Sequence, residues 1–133
     1  MSSPTGLSPE GLDALQRLKD RRDVNTVIFQ CAQAPGALAL ELEGNLTHEE
    51  LVRALPPDAA RLVVHELVFA TREGARRHEV LLILWVPAGA DGQENSCTEG
   101  YTALKESFPN IHVHLTARQA GHLEYARLVA LAG

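Results

Sequence analysis

The run Val80-Leu81-Leu82-Ile83-Leu84-Trp85-Val86, closed by Pro87, decides the architecture of this chain. It is apolar without alternation and far short of the roughly 20 residues a membrane-spanning helix needs, so it reads as a strand covered on both faces. Upstream, residues 61–70 form a second strand. Val63, His65, Leu67 and Phe69 share one of its faces, and Leu62, Val64, Glu66 and Val68 share the other. Both faces are mostly apolar, which places this strand near a sheet centre. Between the two strands, residues 71–79 are a polar excursion holding Arg72, Gly74, Arg76 and Arg77. Downstream, a glycine-rich loop over 88–94 leads into a helix over 96–108, where Cys97, Tyr101, Leu104 and Phe108 recur at steps of four, three and four.

The same reading extends to both ends. After the long helix, Ile111, Val113 and Leu115 alternate with His112 and His114 as a half-exposed strand, and Thr116 is expected to cap a last helix carrying Leu123, Leu128 and Val129. Toward the start, Ser8-Pro9-Glu10 is a helix-opening signal followed by Leu12, Leu15 and Leu18, with an end expected near Arg21 and Arg22. Residues 24–31 then read as a strand, Gln33-Ala34-Pro35-Gly36 as a turn, and residues 37–42 as its antiparallel partner. Thr47 and Glu50 stand at capping-box spacing and open a short helix through Leu51, Val52 and Leu55, stopped by Pro56-Pro57. The order is αββαββαβα. It predicts an α/β domain over residues 9–133 behind a loose lead-in over 1–8. Its mixed sheet has helices on both faces, and its last strand is parallel to its neighbour.

Composition narrows the chemistry. A chain of 133 residues with 45% hydrophobic and 22% charged residues suffices for one packed core. A formal charge of −5 is the wrong sign for a phosphate-backbone binder, so nucleic acid is not expected as a partner. Lys19 and Lys105 are the lysines among 12 basic residues, so cationic contacts fall to arginine forks suited to carboxylate or phosphate. The chain shows no leader pattern and no membrane-length apolar run, which predicts a soluble cytoplasmic protein without membrane insertion. Cys31 and Cys97 have no CxxC spacing, so neither a disulfide framework nor a zinc knuckle is expected, in keeping with a reducing compartment.

No residue set assembles into a catalytic or metal centre. His112 and His114 share a strand face but lack a third ligand, and Cys97 reads as a small apolar filler on its helix. His65 and Glu66 point to opposite faces and cannot work as an acid-base pair. Trp85 reads as core, with its indole N–H finding a partner. Gly89-x-x-Gly92 lacks the lysine of a phosphate loop. The expectation is a binding protein without enzyme activity, cofactor or metal.

In order and spacing these strings resemble the actin-depolymerising-factor homology domain of cofilins, twinfilins and coactosins. The Leu82-Ile83-Leu84-Trp85-Val86-Pro87 strand behind a basic hairpin and ahead of a long helix carries most of the likeness. Leu55-Pro56-Pro57-Asp58 followed by Arg61 is a second matching block. Leu7-Ser8-Pro9-Glu10 with Leu15-Gln16-Arg17-Leu18 is most similar to the C-terminal repeat of twinfilin. The resemblance implies a gelsolin-like fold, a sheet of about five strands between helix pairs, and a monomeric, cytoplasmic and cytoskeletal protein that regulates actin filament dynamics. It implies filament contacts at Arg72, Arg76 and Arg77, a main actin face at Glu94, Asn95, Tyr101 and Lys105, and an auxiliary contact at Arg118 on the last helix. Where the family has basic residues before and on the long helix, this chain reads Gly92-Gln93-Glu94-Asn95 and then Glu99, Lys105 and Glu106. Actin is acidic, so filament-side or barbed-end association is expected ahead of monomer binding. The alternative is an adaptor that kept the fold, lost actin and docks another protein, such as an actin-related complex.

Overall fold

The structure is a computed structural model and describes residues 9–18, 24–31, 38–88, 90, 94–107, 111 and 113–132. Its elements run α1 (Pro9–Gln16), β1 (Thr26–Cys31), β2 (Leu38–Gly44), α2 (His48–Ala54), β3 (Arg61–Ala70), β4 (Arg76–Trp85), α3 (Glu94–Ser107), β5 (Val113–Ala117), a 3-10 turn (Ala120–Leu123) and α4 (Tyr125–Ala132). The described strands form one sheet in the order β2-β1-β3-β4-β5. The first three pairings are antiparallel, and β5 lies parallel to β4. This is the mixed sheet the sequence predicts, with β3 at its centre.

Strand alternation distributes the core to two faces. Val27, Phe29, Leu62, Val64, Leu82 and Leu84 pack on one face against Ala14 and Leu15 of α1, Leu18 just beyond it, and Leu104 of α3. Ile28, Val63, Leu67, Leu81, Ile83 and Trp85 pack on the other against Leu51 of α2 and Leu123 and Leu128 at the C-terminal end. Burying a side chain of this size stabilises by about 1.5–3 kcal/mol, so these layers dominate folding. Trp85 closes β4 as expected, its indole N–H donating to Pro56 O at 2.7 Å.

Local signals fixed several boundaries. The α2 capping box is formed: Thr47 Oγ1 accepts from Glu50 N–H, and Glu50 Oε1 accepts from Thr47 N–H. The helix gives way to extended backbone at Leu55, just ahead of Pro56. In β2 the register shifts opposite Ile28 and Phe29, so Phe29 faces Leu40, Ile28 faces Leu42, and Glu41 is the extra residue. Leu40 therefore packs with the first core layer and Leu42 with the second. Glu41 is used at this bulge, accepting from Gln30 Nε2 at 2.7 Å and Arg61 Nε at 2.9 Å. Burial works to raise its pKa, and these hydrogen bonds outweigh it to hold the carboxyl below its usual value.

Four expectations are corrected. The polar segment 71–79 is not a loop throughout, because Arg76, Arg77, His78 and Glu79 belong to β4. Apolar periodicity cannot reveal a strand whose outer half projects beyond the core. Thr116 lies within β5 and caps no helix; a 3-10 turn intervenes before α4, and Leu123 sits on that turn. The pairing with β1 extends β2 through Gly44 rather than ending at residue 42. Cys97 is buried as its spacing implies, but it is disulfide-bonded, against the expectation of a chain without a disulfide. Such bonds follow tertiary proximity, which leaves no spacing signature. The expected helix start at Ser8, the helix end near Arg21 and Arg22, and the turn over 33–36 lie outside the described residues.

Candidate functional site

β3 and β4 pair along their whole length, Arg61 with Trp85 through Ala70 with Arg76. β1 accompanies β3 only as far as His65, and β5 accompanies β4 only from Leu81. His65 and Leu81 face each other, so the sheet proper ends at that pair and the two strands continue alone as a ribbon about 17 Å long. A turn closes this arm. Thr71 N–H donates to Ala75 O at 2.8 Å, Gly74 N–H to Thr71 O at 2.9 Å, and Ala75 N–H to Thr71 Oγ1 at 3.1 Å. Gly74 takes φ +87°, which suits glycine and would strain a residue bearing a Cβ.

The three expected arginines sit on this arm but are not equivalent. Arg72 on the turn and Arg76 at the start of β4 are exposed, and neither has an ion-pair partner among the described residues. Arg77 is half-buried on the α2/α4 side, paired with the buried Glu79 and stacked 5.9 Å from the centre of the Phe69 ring. On the opposite side His78 Nδ1 lies 3.2 Å from Glu66 Oε1. Arg77 thus braces the arm, while Arg72 and Arg76 present their forks outward, with Glu73 exposed between them.

The α3 surface differs. Glu99, Lys105 and Glu106 are exposed there, leaving two carboxylates against one ammonium. Lys105 Nζ lies 6.0 Å from the centre of the Tyr101 ring, and Tyr101 meets His114 of β5 edge-to-face at 6.4 Å. Burial raises the Tyr101 pKa, and burial followed by the Lys105 charge lowers that of His114, so both stay neutral near pH 7. The side chains of Glu94 and Asn95 lie outside the described residues. Arg118 is exposed, and it follows β5 ahead of the 3-10 turn rather than lying on the last helix. The structure therefore joins Tyr101 and Lys105 into one patch and keeps Arg72, Arg76 and Arg77 on a separate projection.

Sequence reasoning missed two polar features at the foot of the arm. His65 is buried opposite Thr26, whose hydroxyl donates to Asn25 Oδ1 at 2.7 Å and accepts from His65 Nδ1 at 2.8 Å. Asn25 in turn accepts from Leu46 N–H and donates to Leu46 O. Burial, aided by the charge of His48, pushes the His65 pKa down to about 4. The second feature is Tyr125 on α4, whose hydroxyl donates to Val68 O at 2.8 Å. Thr26 facing His65 is a polar pair in two apolar strands, and that mismatch was a signal available in the sequence. Nothing in the sequence pointed to Tyr125.

A five-stranded mixed sheet between two helix pairs bears a ribbon with Arg72 and Arg76 exposed near its tip at one end and a long crossover helix, two candidate recognition surfaces. A family model described as cofilin/tropomyosin-type actin-binding protein matches residues 5–131, and the chain belongs to that family. Actophorin of Entamoeba histolytica is 28% identical over 89 residues, 66% of this chain and 64% of that protein. The matched part thus spans a little under two thirds of that curated relative's length. Streptomyces griseoflavus cofilin shares the fold at a TM-score of 0.83 with 19% identity, covering 96% of each chain. The Eh twinfilin structure does so at 0.76 with 7% identity, covering 95% of this chain and 96% of its own. At these identities the structural likeness is one of fold.

Proposed function

We propose that this chain binds actin and regulates filament dynamics, with the filament side or barbed end as its main target and the free monomer second. Membership in an actin-binding family supports the partner. The observation that carries the mode of binding is the arm: Arg72 and Arg76 stand exposed, without an ion-pair partner among the described residues, at the end of a ribbon that projects past the sheet. Guanidinium forks donate bidentately to carboxylates, and an acidic polymer presents these repeatedly. No bond is made or broken in this reading. It places the protein with the cytoskeleton, and the opening residues favour a twinfilin-like repeat within the family.

Sedimentation with actin filaments tests it. Exposed charge pairs are screened over about 10 Å at 0.1 M salt, so pelleting is expected near 0.05 M salt and to fall steeply by about 0.2 M. A second reading is favoured by the acidic α3 surface, where Glu99 and Glu106 outnumber Lys105. In that reading the module is an adaptor that docks another protein through α3. Absence of pelleting at both salt concentrations would select it.

A further inference from the structure

Resting on the arm as the filament contact, we infer that Tyr125 is its positioning residue, a latch that ties α4 to the projecting ribbon and sets the direction of Arg72 and Arg76. Past His65, the β3 edge has lost its strand neighbour. Along that open edge Glu66 N–H donates to Asn25 O at 2.8 Å, and two residues further out Val68 O accepts the Tyr125 hydroxyl at 2.8 Å. The ring beneath that hydroxyl is held from below. His48, the first residue of α2, meets it edge-to-face at 5.8 Å and hydrogen-bonds through Nε2 to Leu123 O, while Leu123 and Leu128 are fully buried on either side in sequence. Tyr125 itself is 44% exposed, so its burial contributes little to the core, whereas its hydroxyl reaches the β3 edge that has no strand neighbour, between Leu67 and Phe69, whose side chains pack in the layer shared with Leu128.

The leverage follows from register. Val68 faces His78, Phe69 faces Arg77 and Ala70 faces Arg76, so the latch holds the arm one step below the braced arginine and two below the exposed one. Leu67 and Phe69 anchor this stretch on the α2/α4 face, and the hydroxyl fixes its open edge at Val68, just before the arm runs out of core at Ala70. Without the hydroxyl, the arm is held on this side by Leu67 and Phe69 alone, its outer end samples a wider range of directions, and binding must pay the cost of ordering it.

Tyr125→Phe removes the hydroxyl and keeps the ring and its His48 contact. The expected result is severalfold faster amide exchange across residues 67–80, a melting temperature within about 2 °C of the parent, and filament affinity lowered about threefold to tenfold. In an Arg76→Ala background the same substitution is expected to cost much less affinity, because the group being aimed is gone. Unchanged exchange in the arm overturns the latch. Faster exchange with undiminished pelleting, or an equal loss in the Arg76→Ala background, overturns the positioning role. A parent chain that does not pellet overturns the filament reading instead, and the exchange comparison still decides the latch.

Discussion

The β3–β4 arm and the α3 helix are two candidate recognition surfaces served by the same strand, since β4 begins on the arm and leads into α3. They are built on opposite terms. α3 lies on the sheet, buries Leu104 and Cys97, and has its outer tyrosine and lysine stacked on one another with carboxylates around them. The arm leaves the sheet, and beyond Phe69 it has almost no apolar surface to bury, so its side chains are available to a partner or to each other. The difference teaches that position in a family fold does not by itself make a surface suited to an acidic polymer. Charge and freedom from internal pairing matter too, and here they favour the arm.

The largest expected effect comes from reversing the exposed charges. Arg72→Glu with Arg76→Glu removes two charge-assisted contacts worth about 1.5–3 kcal/mol each and adds repulsion, so filament affinity is expected to fall at least a hundredfold with little change in melting. Retained pelleting would erase the contrast between arm and helix. Arg77 is a poor choice for this purpose: a glutamate there would face the buried Glu79 and destabilise the fold.

Acid should act at the foot of the arm. The unfolded chain protonates His65 near 6.5, whereas the native protein resists until about 4, so the native state binds fewer protons across that window. Stability is therefore full above about pH 6.5, declines as pH falls through the window, and loses about 3 kcal/mol from this group by pH 4. Urea unfolding at several pH values checks this, and His65→Gln is expected to flatten the slope between pH 6.5 and 4. The smallest effect belongs to α3. Glu99→Lys with Glu106→Lys changes two exposed charges and is expected to raise affinity for actin monomers by about 1 kcal/mol at low salt, with filament pelleting nearly unchanged. Fluorescence titration of labelled monomer would register it, and no gain would mean that α3 is not a face actin meets.

Much of the fold was legible because local chemistry and core packing agreed. The Thr47/Glu50 box and Pro56-Pro57 bracketed α2, the two-sided apolar pattern of residues 61–70 put β3 at the sheet centre, and the crossover helix made β5 parallel. The site was legible only in part. Arg76 and Arg77 are adjacent and chemically identical, yet alternation sends them to opposite faces, and only one of those faces holds a Phe69 and a Glu79 to bind a guanidinium. Arg118 was misplaced because the step from β5 into a 3-10 turn has no periodicity to announce it.

By itself the sequence determined the layering of this protein: which faces of β3 and β4 are apolar, where α2 starts, and that a basic hairpin precedes the most buried strand. Those properties arise from interactions within a few residues or from the repeating period of strand and helix. The tertiary structure alone decided that the hairpin outruns its neighbours, that Glu41 bulges so that Leu40 and Leu42 serve different layers, and that Tyr125 reaches Val68 across 57 residues of chain. Such contacts join positions with no fixed spacing, so they exist only once the sheet has brought distant segments together.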